Sequence, residues 1–146
     1  METMETTKTI NMVTFKGAKK ELVEVLNGYY STADLAGKSF ALNSSRNIIK
    51  IKTALEDIEL VAAPSEDFLK LAEKVKKVQE KENAAELIKA IEDETPEVVD
   101  ARKVQLEAVT EMLEEEIEID LFALTEDMLP EDIKSHQITL LKVLIK

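Results

Sequence analysis

Ala41, Ser44, Ile48, Ile51, Leu55, Ile58 and Ala62 recur at alternating spacings of three and four. At 3.6 residues per turn all seven fall on one stripe of an α-helix, which predicts a long helix over 41–62. A stripe of that length needs a partner helix to cover it. The chain therefore has to supply other amphipathic helices, and the stretches that follow read that way.

Val61-Ala-Ala-Pro64 ends the first helix, because a residue before proline is pushed out of the helical region. Ser65-Glu66-Asp67 then reads as an N-cap followed by two acids in the first turn, where the helix dipole favours them. Phe68, Leu71, Val75 and Val78 continue the three-four-three spacing. The segment 82–91 is also helical in pattern, either as a continuation or after a kink near Asn83. Thr95-Pro96-Glu97 places a hydroxyl before a proline at the first helical position, and a helix from Pro96 to about Glu116 carries Val99, Leu106, Val109 and Leu113, with Arg102 interrupting. Upstream, Leu22, Val25, Leu26 and Tyr29 share one face of a helix over 18–29, with Asn27-Gly28 as its stop. Tyr29 and Tyr30 read as packing residues at that helix end, and Ser31 to Lys38 as a polar connector. Near the end of the chain, Ser135 reads as the cap of a short segment in which Ile138, Leu141 and Ile145 recur at helical spacing, and the same stretch also admits an extended reading.

Two stretches break the helical period. Glu116-Ile-Glu-Ile-Asp-Leu121 alternates acid and apolar side chains, the period of a strand. Thr9 to Phe15 is rich in β-branched and apolar residues and ends at Lys16-Gly17. The two can pair, or 116–121 can lie as an extended strap over the helices. The fold class expected is mainly α: an antiparallel helical bundle or long helical hairpin with a small two-stranded β-ribbon of residues 9–15 and 116–121. Residues 1–8 read as a flexible tail and 9–146 as a single helical domain.

Charge divides the chain. Residues 1–55 carry eight Lys/Arg against five Asp/Glu, while residues 56–146 carry eleven against twenty-five, out of a net charge of −11. Between Asp34 and Glu56 no acid occurs, and Lys38, Arg46, Lys50 and Lys52 supply four positive charges. These four, with Glu116, Glu118 and Asp120 on the alternating stretch, form the candidate interaction surface, either between parts of one molecule or toward a protein partner or a second copy. Direct nucleic-acid binding is disfavoured.

Catalytic and cofactor chemistry finds no foothold. There is no cysteine, so neither a disulfide nor a thiolate metal site is possible. The three glycines stand alone and form no phosphate-binding loop. The single histidine, His136, has no Glu-x-x-His pairing and reads as a surface or capping residue. Glu114, Glu115, Glu116, Glu118 and Asp120 lack the turn and glycine of a calcium loop and read as a solvated face. No catalytic residue, cofactor or metal is expected. No apolar run approaches the ~20 residues of a membrane span, and the polar, acidic Met1–Thr7 does not read as a signal peptide. The expectation is a soluble protein, not secreted.

The order of a short amino-terminal helix, Gly37-Lys-Ser39, Arg46 opening a helix through Ile49 and Ala54-Leu-Glu-Asp-Ile-Glu59, acidic helices, the Glu116–Leu121 strap and a Leu-Pro turn resembles a family of small uncharacterised helical proteins of tailed bacteriophages. That resemblance spans most of the chain and implies a phage origin, a place in the host cytoplasm or the virion, and a helical scaffold without known chemistry. Two functions are expected from different classes. One is a non-enzymatic interaction or structural component, virion-associated or engaged in assembly. The alternative is an acidic inhibitor that imitates nucleic acid in the basic groove of a host or defence enzyme.

Overall fold

The alternating stretch forms a strand for the reason its period implies. A computed structural model of the chain describes residues 11–146. In it β1 (Met12–Ala18) and β2 (Glu116–Phe122) pair antiparallel, with Met12 opposite Phe122 and Ala18 opposite Glu116. Phe15 and Leu121 turn inward and are buried, while Thr14, Lys16, Glu116, Glu118 and Asp120 face outward. The first strand runs to Ala18, three residues beyond the expected end. Thr9 and Ile10 lie outside the described residues, as does the expected tail 1–8.

The rest is mainly helical: α1 (Lys19–Ser31), α2 (Lys38–Ala54), α3 (Glu56–Ala62), α4 (Glu66–Val78), α5 (Ala84–Glu94), α6 (Pro96–Glu114) and α7 (Ser135–Leu141). Where the sequence reads as one domain from residue 9, the chain divides into two compact units. One contains the chain up to Glu56 together with Leu113–Lys146, and the other is Asp57–Met112.

In the first unit α1 packs on α7 and α2, and α2 on β2. Leu22, Val25, Tyr29, Phe40, Ile51, Leu121, Leu124, Leu141 and Leu144 are buried there. Gly28 does not stop α1, which runs on to Ser31. A Cβ at Gly28 would stand 2.9 Å from both Leu140 Cβ and Leu141 Cδ2, so the glycine marks the close crossing of α1 and α7. Ser135 does not cap α7 either. Gln137 reaches back, its Oε1 accepting from Lys134 N–H at 2.9 Å while its Nε2 donates to Ser31 O at 2.9 Å, which ties α7 to the end of α1. Ile145 leaves the helical face and bridges Leu124 in parallel, extending the ribbon's far end.

The helix expected over 41–62 is interrupted at Leu55, whose N–H still donates to Ile51 O as the chain leaves helical dihedrals. The stripe is also rotated from its expected position. Ile51, Leu55 and Ile58 are buried, but Ala41 is exposed and Ser44 and Ile48 only half-buried. The face of α2 that meets the core is Phe40, Asn43, Asn47 and Ile51. Polar groups won two of those positions because they satisfy a strand edge, as described below.

In the second unit Ser65 Oγ accepts from Phe68 N–H at 3.1 Å, the expected cap. A turn separates α4 from α5, so the segment after Val78 is a new helix. Pro96 opens α6, but Thr95 Oγ1 is buried without a hydrogen-bond partner and does not cap it. Arg102, rather than breaking the stripe of α6, lies 4.8 Å from the Phe68 ring centroid and donates to Ala62 O and Gln105 Oε1, each at 2.8 Å. Leu106, expected on the buried stripe, is exposed.

Candidate functional site

Two amides tie α2 to the outer edge of β2. Beyond the ribbon, the outer edge of β2 presents the main chain of Phe122. Asn47 Oδ1 accepts from Phe122 N–H at 2.8 Å and Nδ2 donates to Phe122 O at 2.8 Å. One turn earlier, Asn43 Nδ2 donates to Phe122 O at 3.1 Å and Ala123 O at 3.0 Å. The buried Tyr29 hydroxyl joins them, donating to Asn43 Oδ1 at 2.6 Å and accepting from Asn47 Nδ2 at 2.7 Å. Every donor and acceptor of the cluster is used, which is the condition for a buried polar network to stabilise. Burial pushes the Tyr29 phenol well above its ordinary range, so it stays protonated.

Two surfaces flank this seam. On one side Arg46 and Lys50, one turn apart, lie over the Phe122 ring, 5.6 Å and 5.9 Å from its centroid. Phe122 shares its side of β2 with Asp120, Glu118 and Glu116, so the structure brings two of the four candidate cations to the end of the candidate acidic row. They form no salt bridge there. Asp120 instead accepts from Thr14 Oγ1 at 2.7 Å, and Glu118 faces Lys16 across the ribbon. Among the described residues, Lys19 pairs with Glu115 at 3.2 Å and Lys20 with Glu114 at 2.9 Å. The Lys20 ammonium is held above its usual range by its hydrogen bond to Glu114.

On the other side, α2 and the connector 32–37 enclose a groove of about 410 Å³, lined by Leu35, Phe40, Ala41, Ser44, Ile48 and Ile49 among others. The connector enters α2 at Gly37, whose φ of +142° is a conformation that disfavours any residue with a side chain. The first half of the expected core stripe is thus the wall of an open groove. Ile49 is 65 % exposed on its rim. Lys38 and Lys52 are exposed and, by helical spacing, fall on the same side of α2 as these residues, toward the two ends of the helix. The four cations therefore serve two different surfaces. Periodicity alone missed the groove because a half-covered face and a buried face have the same spacing.

No group of three or more His, Asp or Glu side chains among the described residues is arranged to hold a metal ion. Among those residues no helix is long and apolar enough to cross a membrane. His136 is exposed. No family model, curated protein or solved structure matches the chain.

Proposed function

We propose that this chain is a non-enzymatic protein-binding component, phage-encoded and virion-associated or engaged in assembly. One observation carries the binding part: the second unit covers its apolar faces poorly. Of fourteen buried apolar side chains only Ile58 and Leu71 belong to residues 57–112, while Leu60, Leu69, Val104 and Leu106 are exposed. Helices in water gain most of their stability from a covered apolar face, so a unit with this little core gains from a partner or a second copy. The phage origin rests on the resemblance carried by Gly37-Lys-Ser39, Arg46, Ala54–Glu59 and Glu116–Leu121.

Sedimentation of the intact chain at low salt and at about 1 M salt, where charges are screened beyond about 3 Å, tests the reading. Self-association, or a complex with a protein of the parent particle, that survives high salt supports it. Association only with a DNA-binding enzyme, lost at high salt, supports the acidic-inhibitor alternative instead. That alternative draws on net charge, yet Glu114 and Glu115 are already engaged by Lys20 and Lys19, and Asp120 by Thr14. A chain that stays monomeric and binds neither class overturns both.

A further inference from the structure

We propose that the groove between α2 and the 32–37 connector binds an acidic amphipathic helix of a protein partner. The proposal rests on the protein-binding reading and names the partner's chemistry at one surface. The groove belongs wholly to the first unit, so it is independent of the exposed helices of residues 57–112.

Three features select the occupant. The α2 wall carries Ala41, Ile48 and Ile49 as apolar contacts, with Ser44 and Ser45 between them, and Leu35 lines the groove from the connector. Leu42 adds an exposed apolar side chain near the start of the helix. Such a cleft takes apolar anchors spaced three and four residues apart on an incoming helix. The ends are basic: Lys38 and Lys52 are fourteen positions apart, about 21 Å along the helix. Neither makes a salt bridge among the described residues, and α2 itself carries no acid. Arg46 and Lys50 add positive potential from the far side of α2. The acids nearest in sequence are Asp34 on the connector, four positions before Lys38, and Glu56, four positions after Lys52, and both oppose carboxylates there. An occupant that satisfies this pattern has apolar residues in its central turns and Asp or Glu toward its ends. On a molecule of net charge −11, a local basic surface selects acidic ligands only at short range, since screening removes the long-range repulsion beyond about 8 Å at physiological salt. The stacked arrangement on Phe122 does not offer the same chance, because there the cations already cover an aromatic ring.

The test is a selection from a display library of random peptides about 16 residues long, enough to span the groove as a helix, on the immobilised intact chain. Enriched peptides are expected to be acidic at their ends and apolar at helical spacing in between. Their affinity, read by fluorescence anisotropy, is expected to fall at least about tenfold for Ile49→Glu and for the Lys38→Glu/Lys52→Glu pair, and to be unchanged for Val104→Glu in the other unit. All these positions are exposed, and thermal melts confirm that each variant folds. Enrichment of neutral or basic peptides, binders indifferent to Ile49 and to both lysines, or no binders at all overturns the proposal. So does tighter binding of a DNA or RNA oligonucleotide through the same lysines. If Ile49→Glu abolishes self-association of the intact chain, the occupant is a second copy and the foreign partner is overturned. In each of those cases sedimentation of the Val104→Glu chain still reports separately on the wider protein-binding reading.

Discussion

The carboxamide of Asn47 pairs with the main chain of Phe122 at both ends, accepting from its N–H and donating to its carbonyl at 2.8 Å each. A side chain on a helix thereby occupies the place of a third strand beside β2. Replacing it with alanine leaves one buried N–H and weakens the satisfaction of a carbonyl that Asn43 still reaches. Asn47→Ala is expected to cost about 2–4 kcal/mol in urea titrations, from unsatisfied groups at about 1–3 kcal/mol each. Asn47→Asp, which keeps the acceptor and loses the donor, is expected to be no better, since it also buries a charge.

Tyr29 links stability to alkaline pH. Its folded-state pKa is raised by burial above the unfolded value of 10.0, so its contribution is complete below about pH 10 and is lost as pH rises from there toward the folded-state value. In that window the unfolded chain releases a proton that the folded chain keeps, and stability falls by up to about 1.4 kcal/mol per pH unit. Tyr29→Phe is expected to be less stable at neutral pH by about 1–2 kcal/mol, through the lost hydrogen bonds to Asn43 and Asn47. The gap between the two proteins should narrow above pH 10. A gap that stays constant in paired melts would contradict the burial of this phenol.

Ile48 and Ile51 separate the two faces of α2. Ile51 is fully buried and Ile48 only half-buried. Ile51→Ala is expected to cost about 2–5 kcal/mol and Ile48→Ala about 1 kcal/mol or less. Equal losses in denaturant titrations would place the core on the other side of the helix.

Gly28→Ala sets helix propensity against space. Alanine favours a helix interior by about 0.8–1.0 kcal/mol over glycine. Here its Cβ would meet Leu140 Cβ and Leu141 Cδ2 at 2.9 Å, and overpacking costs about 1–3 kcal/mol. A net lowering of the thermal midpoint is expected, with Gly28→Val worse.

Arg102 is expected to be irreplaceable by lysine. Its guanidinium serves Ala62 O, Gln105 Oε1 and the Phe68 face together, a planar combination that an ammonium does not reproduce. Arg102→Lys and Arg102→Ala should raise amide hydrogen exchange in α4 and α6 alike, while exchange in α1 and α7 is unchanged.

Where a local rule had no competitor, the sequence was legible. The acid–apolar alternation at 116–121, the serine at 65 and the proline at 96 each mark an element that forms where expected. The rest depended on pairings that lie far apart in the chain. Nothing in the sequence marks Asn43 and Asn47 as core residues, since asparagine is seldom buried, and only the free edge of β2 makes them so. Gly28 read as a stop because the small size demanded by Leu140 and Leu141, more than a hundred residues away, leaves no local trace. Among the candidate surface residues, acid depletion singled out α2 but gave no sign that Lys38 and Lys52 lie on one side of it and Arg46 and Lys50 on another.

The antiparallel ribbon has a consequence for the order of events during synthesis. Met12–Ala18 pairs with Glu116–Phe122, and the core of that same unit also requires Leu141 and Leu144. A ribosome that has just finished Glu56 has made only the amino-terminal part of this core. Leu22, Val25 and Tyr29 then wait without β2 and α7 while the 56 residues of the second unit are made. Because those residues form a compact unit of their own, the intervening chain can shorten before β1 and β2 meet, and the entropy of closing the long loop between them falls accordingly.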